Sequence, residues 1–111
     1  MYSQKDFNII ANMISKAIPG VRFIYLFGSY ASGTAVEGSD MDFAILTDET
    51  ISRKEKLRLL SSLRWEIAHK GYNADLLLKN EKDFAVERYL PTLSKIISEK
   101  GVMLWRREEI Q

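Results

Sequence analysis

Asp40 and Asp42, preceded by Gly28-Ser29, are the residues of this sequence whose types and spacing could handle a phosphate chain. Two residues apart on a strand, the carboxylates point the same way with Cα atoms roughly 6.5 to 7 Å apart. Such a pair repels itself unless a cation sits between its members. Mg²⁺ suits the position because it prefers oxygen ligands, keeps several waters and takes further ligands from substrate phosphates. In phosphoryl transfer a metal so held orients a triphosphate, lowers the pKa of an attacking hydroxyl and neutralises the departing pyrophosphate. A strand that ends in Gly-Ser and turns into a helix start offers backbone N–H groups and a hydroxyl to an anion, and glycine lets the phosphate come close. Each half alone has an ordinary reading, a turn for Gly-Ser and a solvated strand end for Asp-x-Asp. Together, at one set spacing and residue frequencies of about 5–7%, they arise by chance in roughly one chain in a thousand.

The elements that must position these residues follow from periodicity. From Ser3 to Ile18, Phe7, Ile10, Met13, Ile14 and Ala17 recur at helical spacing, and Pro19-Gly20 stops the helix. Val21 to Phe27, aromatic and β-branched and bounded by Gly28-Ser29, reads as a buried strand. Gly28 to Ser39 reads as a loop of small residues with one helical turn. In a second strand, Met41 to Leu46, Met41, Phe43 and Ile45 share one face while Asp40, Asp42, Ala44 and Leu46 share the other. Ser52 and Glu55 have capping-box spacing, and Leu57, Leu60, Leu63 and Ile67 mark a helix ending at Gly71. Ala74 to Leu78 is a third strand. Lys82 to Lys100 reads as helix interrupted at Pro91, giving a kink or two helices meeting near Leu90; Gly101 ends it, and Val102 to Trp105 is a last strand. The alternation predicts an α/β (α+β) domain, a short mixed sheet packed with helices.

The chain of 111 residues has room for one compact domain, residues 1–111. Its formal net charge of +1 carries no field toward nucleic acid or anionic lipid, so nucleic-acid binding by this chain alone is disfavoured. Cysteine is absent, which removes disulfides, thiolate zinc sites and cysteine nucleophiles, so any metal is a hard one. No signal-peptide layout and no membrane-length apolar run occur, and the expected location is the cytoplasm.

Gly28-Ser29, a small-residue loop with a second glycine at Gly33, and then Ser39-Asp40-x-Asp42 together resemble the signature of the nucleotidyltransferase superfamily that includes DNA polymerase β. The resemblance is closest to the minimal nucleotidyltransferase (MNT) group of prokaryotes, and it runs over nearly the whole chain. It implies the polymerase β-like fold, transfer of NMP (AMP from ATP) and Mg²⁺ with two ions. It also implies a third carboxylate on a later strand, which Asp75 supplies at the start of the third, sharing a face with Asn73 and Leu77. Asp40, Asp42 and Asp75 are then the catalytic and metal-binding set, and Gly28, Ser29, Gly33 and Ser39 the nucleotide-binding set. Many members carry an arginine one or two residues before the second glycine. Here those positions are Ala31 and Ser32, and no substitute cation is evident in the sequence.

In the resembled group, small MNT proteins are often antitoxins that adenylylate a tyrosine on a HEPN-domain RNase toxin, which makes such a toxin the expected partner and a hydroxyl on it the expected acceptor. The competing reading is a binding module that neutralises its partner by covering it, with weak or no activity. A transferase acting on a small molecule is a third. Elsewhere the residues read as structural. His69 meets a helix C-terminal dipole, Trp65 and Trp105 pack, and Lys54, Lys56, Arg58 and Arg64 line a solvated helix face with intrahelical partners. Arg106, Arg107, Glu108 and Glu109 form a mixed tail.

Overall fold

A computed structural model describes residues 1–108, so Glu109 of the tail lies outside the described residues. Helix α1 (Gln4–Ala17) begins where the Asp6 carboxylate accepts the Ser3 amide at 2.8 Å, and it buries Phe7, Ile10, Ala11 and Ile14. Ala17, expected on that face, is exposed in the last turn, and Ile18 is buried in its stead. Strand β1 (Val21–Phe27) runs to Gly28, one helical turn α2 (Ser29–Ser32) follows, and β2 (Met41–Thr47) returns antiparallel to β1. Helix α3 (Arg53–His69) is capped by the Ser52 hydroxyl accepting the Glu55 amide. It carries the chain over to β3 (Ala74–Asn80), which pairs parallel with β2. The Pro91 interruption yields two helices, α4 (Glu81–Glu87) and α5 (Leu93–Lys100), and edge strand β4 (Val102–Arg106) closes the other side of β1. The sheet is mixed, in the order β3-β2-β1-β4.

Alternation along the strands divides the interior in two. Ile24, Leu26, Met41, Phe43, Ile45, Leu76 and Leu78 meet the apolar faces of α1 and α3 on one side. On the other, Ala44 and Leu46 meet Phe84 of α4 and Ile97 of α5, flanked by Phe23, Tyr25, Phe27 and Leu77. By the same alternation Asp42 and Asp75 project from the α4–α5 side of the sheet.

Four expectations for α3 and the tail need correction. Leu57 and Trp65 are 57% and 66% exposed. At about 100° per residue, Leu60, Leu63 and Ile67 make one stripe, Leu57 falls on its far flank and Trp65 well outside it. Trp65 instead stacks on His69, the last residue of the helix, with ring centroids 4.9 Å apart. Arg58 has its intrahelical partner, Glu55, but Arg64 donates to the Leu76 carbonyl of β3 at 3.2 Å. Arg107 is tied down by Asp48 at 2.6 Å. Trp105 packs against the core as expected.

The α4–α5 pair is pinned to the sheet by one carboxylate. Glu87 pairs with Lys79 of β3 and accepts the hydroxyl of buried Ser94 at 3.0 Å, while Thr92 donates to the Glu87 carbonyl at 2.7 Å. The hydrogen bonds from Lys79 and Ser94 hold the Glu87 carboxyl below its usual pKa. A lowered folded pKa contributes stability above the unfolded value that is lost as pH falls through the folded one. Glu87→Gln should therefore lower the urea midpoint at pH 7, with the gap to the parent chain closing in acid. An equal gap at both pH values would assign the effect to packing instead of charge.

Candidate active site

One end of the sheet gathers Gly28, Ser29, Asp40, Asp42 and Asp75. Phe27, the last residue of β1, pairs with Asp42, and Asp42 pairs with Asp75 across the parallel β2–β3 ladder. Gly28 takes φ 73°, ψ −152°, a region essentially reserved for glycine. A Cβ built there would overlap the Asp42 carboxylate oxygen and lie 3.1 Å from its Cγ. The glycine is thus demanded by the close approach of Asp42, whatever else comes near it.

Beyond Gly28 the chain winds once. The Gly28 carbonyl accepts the amides of Ala31 and Ser32 at 3.2 and 3.1 Å, and Gly33 ends the turn in the left-handed region at φ 78°. Ser39 closes the following turn, its hydroxyl accepting the Val36 amide and its amide donating to the Val36 carbonyl, both at 2.9 Å. The hydroxyl of Ser39 is therefore occupied in shaping the approach to Asp40.

Asn73 ties the far side together. Its side-chain amide donates to Asp40, and its carbonyl accepts the Met41 amide at 3.0 Å, so the residues just before β2 and β3 hold one another. Behind them lies a tyrosine brace that sequence reasoning missed. Tyr2 lies 5.8 Å from Tyr30 and 5.7 Å from Tyr72 between ring centroids. The Tyr2 hydroxyl accepts the Asn73 amide at 2.9 Å, and the Tyr72 hydroxyl donates to Asp6 at 2.9 Å. Residue Tyr30 on α2 is thereby linked to the chain entering β3. No local sequence pattern signals the brace, because the residues it joins lie far apart in the chain.

Burial, then the charge of Asp75, then that of Asp40, pushes the Asp42 carboxyl above its usual pKa. The cluster thus carries uncompensated negative charge. Among the described residues, no three carboxylate or imidazole side chains are arranged to hold a metal ion by themselves.

The profile described as "Polymerase beta, Nucleotidyltransferase" matches residues 8–109. The chain belongs to the polymerase β nucleotidyltransferase family. The nucleotidyltransferase is 32% identical over 107 residues to the protein adenylyltransferase MntA of Shewanella oneidensis, covering 96% of this chain and 69% of that protein. A crystal structure of a toxin–antitoxin with AMP-PNP superposes with a TM-score of 0.62 at 26% identity, covering 93% of this chain and 74% of that one. A tri-AMPylated S. oneidensis HEPN toxin in complex with its MNT antitoxin shares the fold, with a TM-score of 0.59 at 22% identity over 95% of this chain and 74% of that one. Membership carries nucleotidyltransferase activity, and the family generally uses a nucleoside triphosphate with a divalent metal. No helix among the described residues is long and apolar enough to cross a membrane.

Proposed function

We propose that this nucleotidyltransferase moves AMP from ATP, with Mg²⁺, to a hydroxyl on a HEPN-domain toxin and so serves as the antitoxin of the pair. The observation that carries this reading is the Asp42–Asp75 pairing beside the Gly28-Ser29 turn. It is a negatively charged cluster, strained in its own field, at the spot where a strand hands the chain to a short helical turn.

The donor set fits the metal. Asp40, Asp42 and Asp75 do not enclose an ion unaided, and Mg²⁺ is usually bound by one or two carboxylates with substrate phosphates and water completing its octahedron. Two such ions would supply charge neutralisation for the triphosphate and a lowered pKa at the acceptor hydroxyl. Asp40 and Asp42 are the principal ligands. Asp75 stands on the neighbouring strand, where it aids the acceptor side by helping to hold the second ion or by taking the hydroxyl proton. Gly28 leaves room for the phosphate chain, the Ser29 hydroxyl and neighbouring amides bind it, and Gly33 and Ser39 keep the loop in shape.

This division of labour has a direct test in calorimetry and transfer assays on the same variant. Mg²⁺–ATP binding should be detectable and weakened by EDTA. Asp75→Ala should keep much of that binding while transfer drops by about 10²-fold or more. Loss of binding as complete as for an Asp40 variant would refute the assignment. The covering mode has one observation in its favour: Val86, Tyr89, Leu90, Leu93 and Ile96 are exposed apolar residues of the 86–96 segment that a partner could sit on. Inhibition by an Asp40/Asp42 double variant that forms the complex without transferring AMP would favour that mode.

A further inference from the structure

We propose that Lys100 supplies the cation that holds the triphosphate against the Gly28-Ser29 turn, an assignment that rests on the nucleotide-binding reading above. The need for a cation is plain from the site. Segments 28–42 and 71–78 contain Asp40, Asp42 and Asp75, besides a Glu37 already paired with the Met1 ammonium at 3.3 Å, but no lysine or arginine. A triphosphate adds further negative charge, which a divalent metal balances only in part. Any lysine or arginine at the site must therefore come from another element.

The sheet register brings one there. Val102 of β4 pairs with Leu26 of β1, so the chain preceding β4 lies at the same end of the sheet as the residues following β1. Lys100 is the last residue of α5 and lines a cleft of about 190 Å³ together with Phe27, Gly28, Ala31, Ser32 and Ile96. Its place is held on both sides. Ile97 is fully buried, and the Gly101 amide donates to the Ile97 carbonyl at 2.8 Å in a turn so tight that a Cβ on Gly101 would come within 2.5 Å of that oxygen. Arg22, Lys79 and Arg107 are engaged by Glu81, Glu87 and Asp48. The Lys100 side chain, by contrast, is exposed and makes no ion pair or hydrogen bond among the described residues. A lysine ammonium in that position acts as a compact point charge on a flexible stem, suited to phosphate oxygens.

The test titrates ATP and AMP, each with Mg²⁺, into the full chain and into Lys100→Ala, Lys100→Arg and Lys95→Ala by calorimetry. Lys100→Ala should weaken ATP about ten- to a hundredfold and leave AMP unchanged. Lys100→Arg should restore most of the ATP affinity, and Lys95→Ala, on the same helix but outside the cleft, should match the parent. Equal losses for ATP and AMP, no loss at all, or an Arg variant as weak as the Ala variant would each overturn the assignment. If the parent chain binds no ATP, the nucleotide reading itself fails and this inference falls with it.

Discussion

Asp42→Asn is expected to reduce nucleotidyl transfer by at least about 10³-fold while raising the melting temperature of the metal-free protein at neutral pH. Both effects have one cause. Burial and the charges of Asp75 and Asp40 raise the Asp42 pKa in the folded chain. A carboxylate with a raised folded pKa penalises the fold increasingly as pH climbs from its unfolded value through its folded one, and the penalty is full above both. The neutral amide removes that penalty and, with it, a proposed metal ligand. The stability gain should shrink as pH falls below the unfolded aspartate value, where Asp42 is itself neutral. Scanning calorimetry at pH 7 and in acid, alongside a transfer assay, separates the two effects. A variant that transfers at the parent rate would remove Asp42 from the chemistry. One that melts lower at pH 7 would contradict the electrostatic origin of the strain.

Gly28→Ala should damage both the fold and the activity through a single methyl group. Alanine is disfavoured at φ 73°, ψ −152°, and its Cβ would overlap the Asp42 carboxylate. The strain costs about 1–3 kcal/mol, a melting temperature lower by roughly 5–15 °C in a chain of this size. Relief requires Asp42 to move, so transfer should be lost even at temperatures where the variant is folded. Gly33→Ala is the control. Its φ is also positive, at 78°, but a Cβ there meets nothing within 4 Å. It should show only the left-handed backbone penalty of about 1–2 kcal/mol with transfer largely kept. Similar activity in the two alanine variants would show that contact with Asp42 is not what demands Gly28.

The parts of this site that are legible in sequence are those set by short-range periodicity. Strand alternation puts Asp42 with Ala44 and Leu46, away from Met41, Phe43 and Ile45, and the structure keeps that division. Pro91 splits the last helical stretch because it cannot continue the amide ladder. Asp75 is different, since its pairing with Asp42 depends on a parallel ladder bridged by α3, and family resemblance, not spacing, pointed to it. The tyrosine brace and the Asn73–Asp40 bond join residues far apart in the chain, and no local pattern encodes them. Lys100 reaches the Gly28 turn only through the β1–β4 register. Trp65 departs from expectation for another reason: aromatic residues usually pack, yet the helical angle from Leu60 places it outward.

The most direct measurement is intact-mass spectrometry of a HEPN-domain partner incubated with this nucleotidyltransferase, ATP and Mg²⁺. The proposed function predicts a ladder of masses on the partner, each step one AMP, mapping by fragmentation to a tyrosine hydroxyl. The ladder should be absent with EDTA and with the Asp40/Asp42 double variant. A partner that stays at its unmodified mass while it binds the chain and loses its RNase activity would contradict transfer and leave covering as the mode of inhibition.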